Sequence, residues 1–347
     1  MKYDSFMRRV ALLMIAVCCV VAATLGGVVL YQNDFDIAEE RVQIPGPAQP
    51  LEAILALPNH GEKPYGLVIF VHGDGPADAS RDSFYRPLWE SFARADYASV
   101  SWNKPGVEGA QGNWLDQSMH DRAVETEAVL AWAHGRRDID PRRIGVWGIS
   151  QAGWVLPEVA AKHPELQFMI LVGPAINWLR QGEYNLLAEL RARQAGDSEI
   201  AAALRRRAES LRLLCAHADY DRYLAASVDN PQMSADRWRF VRTNYLSDVT
   251  SQLAGIKIPV LLILGADDRN VDVAETERVY RAQLPPNKLT VKTFPDASHN
   301  IVKASLDHHQ GIRAFLVAVF APRSLYAPGY LESLRKFVEG QPERTVP

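Results

Sequence analysis

Residues Arg143 to Gly153 read Arg-Ile-Gly-Val-Trp-Gly-Ile-Ser-Gln-Ala-Gly. This stretch constrains the chain more than any other. A short apolar strand runs straight into a turn and then into a helical pattern. A strand-to-helix turn this sharp holds its serine, Ser150, clear of the backbone. The turn needs small residues two positions before and two after the serine, and Gly148 and Ala152 meet that need. The motif alone occurs often by chance, and a strand-end turn with a solvated serine would read the same way.

Three further strand ends change the weighting. Leu67 to Val71 is a continuous apolar run, as in a strand buried on both faces, and ends in His72-Gly73-Asp74-Gly75. Glycines there free backbone N–H groups to face a developing oxyanion; the donors expected are those of Asp74 and Gln151. Val260 to Leu264 ends in Gly265-Ala266-Asp267-Asp268, which puts an acid at the face where α/β sheets carry their sites. Asp268 fits a Gly-x-x-Asp-x-x-Val pattern, which leaves Asp267 to cap the turn or hold the loop. Leu289 to Phe294 ends in a small-residue loop carrying His299. The order Ser150, Asp268, His299 on successive strand ends suits acyl transfer. A hydroxyl needs a near-neutral base to become a nucleophile, and the base needs a carboxylate to fix its tautomer.

With these residues on the page, the chain resembles the α/β-hydrolase superfamily, and most its bacterial branch near dienelactone hydrolases and serine acyl-hydrolases or peptidases. His72-Gly73-x-Gly75, Ile139-Asp140-Pro141 through Ser150, Gly265-x-x-Asp268 and His299 carry the resemblance over roughly residues 66 to 300. It implies Ser150 as nucleophile, His299 as base, Asp268 as acid, and neither metal nor organic cofactor. It also implies an α/β fold with a mostly parallel central sheet flanked by helices.

Asp74 departs from that pattern. A carboxylate ~4 Å from an oxyanion, at an effective dielectric of ~20, repels it by about 4 kcal/mol. The Asp74 side chain is therefore expected to point away and to cap the following loop, and Asp74→Ser to leave turnover within a few-fold.

Four segments follow from the patterning. Residues 1–32 carry Lys2, Arg8 and Arg9 ahead of an uncharged apolar run from Val10 to Leu30, long enough to span a bilayer. Positive residues on the N-terminal side predict an inner-membrane anchor with an exported body. The rival is a signal peptide cleaved near Val21-Ala22-Ala23, giving a secreted or periplasmic protein. A lipid-modified Cys18 is disfavoured by the bulk of Val17. Gln32 to Glu40 reads as a linker. Residues 33–176 and 256–347 read as the two parts of the sheet domain. Residues 177–255 lack strand alternation and read as a helical lid. Its aromatic residues Trp178, Tyr184, Tyr220, Tyr223, Trp238 and Tyr245 are expected mostly to pack the lid.

Within the sheet domain, Val124, Ala128, Ala131 and Trp132 mark a helix against the sheet. Pro157 predicts a kink or early break after the serine turn. Trp114 and Trp154 are candidate pocket walls. His308-His309 reads as a solvated face, since adjacent histidines on a helix diverge.

A net charge of −3 with no basic stripe argues against nucleic acid. Cys215 is the only cysteine outside the apolar run, so no thiolate metal site is expected. The sequence thus points to a serine hydrolase of a small-molecule carboxylic ester or other acyl substrate. A serine peptidase or thioesterase with the same machinery stays open. A binding protein on this fold would lack one of the three residues, and an aspartate-nucleophile dehalogenase would lack Ser150.

Overall fold

In the computed structural model, which describes residues 2–229, 231–307 and 311–342, eight strands form one sheet in the order β1-β2-β4-β3-β5-β6-β7-β8. They are β1 Ile37–Ile44, β2 Leu51–Pro58, β3 Tyr65–Val71, β4 Tyr97–Trp102, β5 Ile139–Ile149, β6 Met169–Val172, β7 Val260–Gly265 and β8 Leu289–Phe294. From β4 through β8 every pairing is parallel; β2 runs antiparallel to both β1 and β4.

The reason is legible in β3. All seven of its residues are buried, and they alternate between two cores. Leu67, Ile69 and Val71 enter the core on one face; Val68 and Phe70 enter the core on the other. A strand buried on both sides needs helices on both sides, and parallel crossovers supply them. Phe70 stacks on Trp147 of β5 at 4.6 Å between ring centres, and Tyr85 and Trp89 close around the pair. Each such ring withdrawn from water contributes roughly 1.5–3 kcal/mol.

The helices of the body are α2 Arg86–Ala93, α3 Met119–His134, α4 Leu156–Lys162, α10 Val273–Gln283, α11 Ala304–Asp307, α12 Ile312–Phe320 and α13 Tyr330–Glu339. Between β6 and β7 the chain forms α5 Trp178–Ala192, α6 Asp197–Cys215, α7 Tyr220–Ala226, α8 Ala235–Asn244 and α9 Thr250–Leu253, with no strand among the described residues there. Tyr223 and Trp238 stack at 4.3 Å inside this insertion, and Tyr220 joins them, so these aromatics do pack the helices together. At the other end, α1 Lys2–Gln32 contains a 21-residue segment, Leu12–Gln32, long and apolar enough to cross a membrane.

Three expectations need correction. Gln32 to Glu40 is not all linker, because β1 begins at Ile37 and pairs with β2 along its whole length. As an edge strand it is mostly exposed, so its sequence carries no apolar alternation to read. Helix α3 exists, but its buried face is Arg122, Ala123, Thr126, Val129, Leu130 and Ala133, one residue round from the face expected. Polar residues on the buried side disguised the period. Pro157 neither kinks nor breaks a helix. A short 3-10 turn, Ser150–Trp154, comes first, and α4 starts at Leu156. Pro157 thus falls in a first turn, where its missing N–H is not needed. The pair His308-His309 lies outside the described residues.

Candidate active site

Strand β5 ends at Ile149, and Ser150 follows with φ +55°. A side chain held in the left-handed region costs of order 1–3 kcal/mol, and such strain gathers at functional sites. The turn is as crowded as its sequence implied. A Cβ on Gly148 would stand 2.6 Å from the Ala152 Cβ, so only glycine fits before the serine when alanine follows it.

Asp268 lies three residues past β7 with its side chain fully buried. Its Oδ1 accepts the backbone N–H groups of Asn270 and Val271 at 2.7 and 2.8 Å. Its Oδ2 meets His299 Nδ1 at 2.8 Å. The insertion braces this loop: Tyr184 donates its hydroxyl to the Asp268 carbonyl, and Gln181 donates to Asn270. Asp267 is exposed and contributes its backbone N–H to the Ala297 carbonyl, tying the two loops together.

His299 sits over Gly173, where a Cβ would stand 3.0 Å from Nδ1. Gly173 follows Val172, which pairs with Ile149, so the glycine and Ser150 leave adjacent strands side by side. The other imidazole nitrogen, Nε2, is buried with no hydrogen-bond partner among the described residues.

The loop after β3 rests on two buried cations that the sequence reading missed. Lys104 Nζ donates to the Gly73 and Gly75 carbonyls at 2.6 and 2.7 Å. Arg122 donates to the His72 carbonyl and to Gln151 Oε1, both at 2.6 Å. Burial, reinforced by the neighbouring Arg122 charge, drives the Lys104 ammonium well below its usual range. Burial also depresses the His72 imidazole, which bonds the Tyr85 hydroxyl and the Trp102 carbonyl and serves as a neutral strut.

The Asp74 carboxylate is not turned away. It lines the cleft, accepts from the Gln151 amide at 3.0 Å, and takes both Arg237 Nη atoms of α8 at 2.9 and 2.7 Å. Burial alone would raise its pKa, but the Arg237 hydrogen bonds and charge outweigh that and hold the carboxyl below its usual range. The expectation that the side chain points away is thus overturned, and the Arg237 guanidinium balances the carboxylate's charge where it stands. A lone arginine in a helical insertion gives no sequence signal of a partner 163 positions earlier.

A cleft of about 620 Å³ opens beside Ser150 and Gln151. Trp154 lines it and stacks on Trp178 at 5.0 Å, with its indole N–H on the Ile176 carbonyl. Trp114 is not among the lining residues. It lies behind the wall against Phe240, with Lys104 Nζ 4.8 Å and Arg237 Cζ 5.9 Å from its ring centre. From the insertion, Arg206, Arg207 and Arg237 reach the cleft, and Arg207 Nε, buried with no hydrogen-bond partner among the described residues, lies 3.9 Å from Glu183 Oε2. Of the carboxylates there, Asp74 is ion-paired with Arg237, whereas Asp229 accepts only the Tyr223 hydroxyl among the described residues.

An eight-stranded, mostly parallel sheet in this order, flanked by helices, is the α/β-hydrolase fold, and the protein is a serine hydrolase of that class. The sequence matches the serine aminopeptidase S33 family over residues 62–304, and the chain belongs to that family. Its structure is similar to Est1E from Butyrivibrio proteoclasticus with ferulic acid bound, at TM-score 0.54 and 16% identity over 86% of this chain and 98% of that one. It is also similar to a proline iminopeptidase of Mycobacterium smegmatis, at TM-score 0.53 and 18% identity over 82% and 99% of the two chains. An esterase of Pyrococcus furiosus gives TM-score 0.52 and 17% identity over 83% and 92%. No curated protein sequence matches the chain.

Proposed function

We propose that the protein cleaves a carboxylic ester of a small molecule through an acyl-enzyme on Ser150. The observation that carries this reading is His299. One nitrogen is tied to a fully buried carboxylate, and the other is buried with no hydrogen-bond partner among the described residues. The ring lies over Gly173, at the end of the strand next to the one that carries the strained Ser150. His299 Nε2 takes the Ser150 proton as Oγ attacks the carbonyl, then delivers it to the leaving alkoxide. Water repeats the cycle and frees the acid. Asp268 fixes the imidazole and stabilises its cation.

The Asp74 and Gln151 N–H groups receive the oxyanion. The Gly73 carbonyl is held by Lys104, and the N–H of the same trans peptide unit points the opposite way. No acceptor pairs with the Asp74 N–H among the described residues. Residues 177–255 serve as a lid over the cleft, with Trp154 as a wall. Residues 1–32 anchor the chain in the inner membrane, with the body exported.

The family's description favours a second reading, an aminopeptidase. That activity needs an unpaired carboxylate to hold the substrate's free amine. The cleft presents three arginines against two lining carboxylates. Asp74 is paired with Arg237, and only Asp229, bonded to the Tyr223 hydroxyl, lacks a cation among the described residues; that positive balance supports the ester.

The test is a fluorophosphonate probe on the detergent-solubilised full chain, with the label mapped by mass spectrometry. Label is expected on Ser150, absent in Ser150→Ala and reduced at least a hundredfold in His299→Ala. Undiminished labelling of folded His299→Ala would remove the triad. Turnover of aminoacyl amides in preference to aryl and alkyl esters would replace the ester reading.

A further inference from the structure

Apart from α1 and Leu246, the exposed large apolar side chains among the described residues all belong to α12. Ile312, Phe315 and Leu316 are 72, 62 and 44% exposed, and α12 has no buried residue. Its sequence, Ile-Arg-Ala-Phe-Leu-Val-Ala-Val-Phe, is apolar except for Arg313 near its start. Ile312, Phe315, Leu316 and Val319 fall on one helical face. A soluble surface seldom keeps such a patch without a partner.

What lies next to α12 identifies that partner. Asn33, one residue past α1, donates its side-chain amide to the Val319 carbonyl at 2.8 Å. Arg323, three residues past α12, donates to the Gln32 and Asp34 carbonyls at 2.7 and 2.9 Å. The apolar helix is therefore joined to the end of the membrane-length segment, at the level where α1 would emerge from the hydrocarbon. Nine residues rise about 13 Å, too short to cross a bilayer but enough to lie in its surface.

We propose that α12 is a membrane-docking helix, its apolar face lying in the headgroup–acyl boundary of the same bilayer that α1 crosses. The inference rests on reading α1 as an anchor. The two contacts differ in kind: α1 tethers the chain, whereas α12 fixes how the body sits on the lipid. Arg313, exposed at the start of α12, extends its guanidinium toward lipid phosphate while its stem stays with the apolar face.

The experiment uses the full chain in phosphatidylcholine vesicles, with Cys18, Cys19 and Cys215 replaced by serine. Single nitroxide labels are placed through Phe315→Cys, Val17→Cys and Glu209→Cys. Dissolved oxygen concentrates in hydrocarbon and a nickel chelate stays in water, so their relaxation ratio reports depth. Circular dichroism melting shows that each labelled chain is folded. Positions 315 and 17 are expected to give a ratio several-fold above position 209, with 17 the deeper. A label at 17 in hydrocarbon with 315 as watery as 209 would overturn the docking helix and leave the anchor standing. A label at 17 in water would remove the anchor and the inference with it. Spin–spin broadening at 315 would mean that a second copy covers α12, and would also overturn it.

Discussion

Ser150, Asp74 and His72 each occupy an unfavourable state that neighbours make tolerable. Ser150 accepts a left-handed backbone; Asp74 accepts a place in the cleft because Arg237 neutralises it. Arg237→Ala leaves that carboxylate uncompensated beside the Asp74 N–H. Turnover of the ester is expected to fall about tenfold or more, with most of it restored by adding Asp74→Asn. A double-mutant cycle on kcat/KM checks this; strictly additive losses would mean the pair does not act on the site together. For the same reason Asp74→Ser, which leaves Arg237 and the Gln151 amide without their acceptor, is no longer expected to be mild. His72 gives a pH signature. Its folded pKa is depressed below the ordinary 6.5, so the folded state stays neutral while the unfolded chain takes up a proton. Its share of stability is full above pH 6.5 and is lost as pH falls below it, at up to about 1.4 kcal/mol per pH unit. Melting temperature measured from pH 7.5 to 5 should therefore fall less steeply in His72→Gln than in the parent, on the order of one proton's worth of slope. Equal slopes would show that His72 titrates normally.

The elements most legible in sequence are those whose chemistry is uniform along their length. β3, β7 and β8 were readable because their residues are apolar or alternating, and their ends carry Asp74, Asp268 and His299. The supports of the site were not readable, because burial of polar groups has no periodic sign. Arg122 and Thr126 turned the apparent face of α3, and Lys104 and Arg237 find partners only after distant segments meet. β1 was hidden for the opposite reason, having too little burial to leave a pattern. The junction of α1 with the body is another case of long-range pairing. Arg323 bonds Glu90 through two nitrogens at 2.7 and 2.8 Å while donating to the end of α1. Glu90 keeps only 5% of its side chain in water. Arg323→Ala should destabilise the fold by about 1–3 kcal/mol, read as a lowered melting temperature, with Ser150 labelling unchanged at low temperature. An unaltered melt would mean that Arg94, at 3.3 Å from Glu90, suffices.

Across the whole molecule, a serine-hydrolase body follows a helix long enough to cross a bilayer. If that helix is an anchor, the protein recovered from the membrane fraction begins at Met1 or Lys2. N-terminal sequencing that starts near Thr24, after Val21-Ala22-Ala23, would instead make it a processed, secreted enzyme. The joint between helix and body has a mechanical consequence. Chain order runs from α1 directly into β1, an edge strand held on one side only. Tension along the chain would peel such a strand. Asn33 and Arg323 grip the end of α1 before β1 begins, so lateral drag on the helix is carried into Glu90 and α12. An anchored α1 would thus pull on the body through Glu90 and α12 rather than along β1.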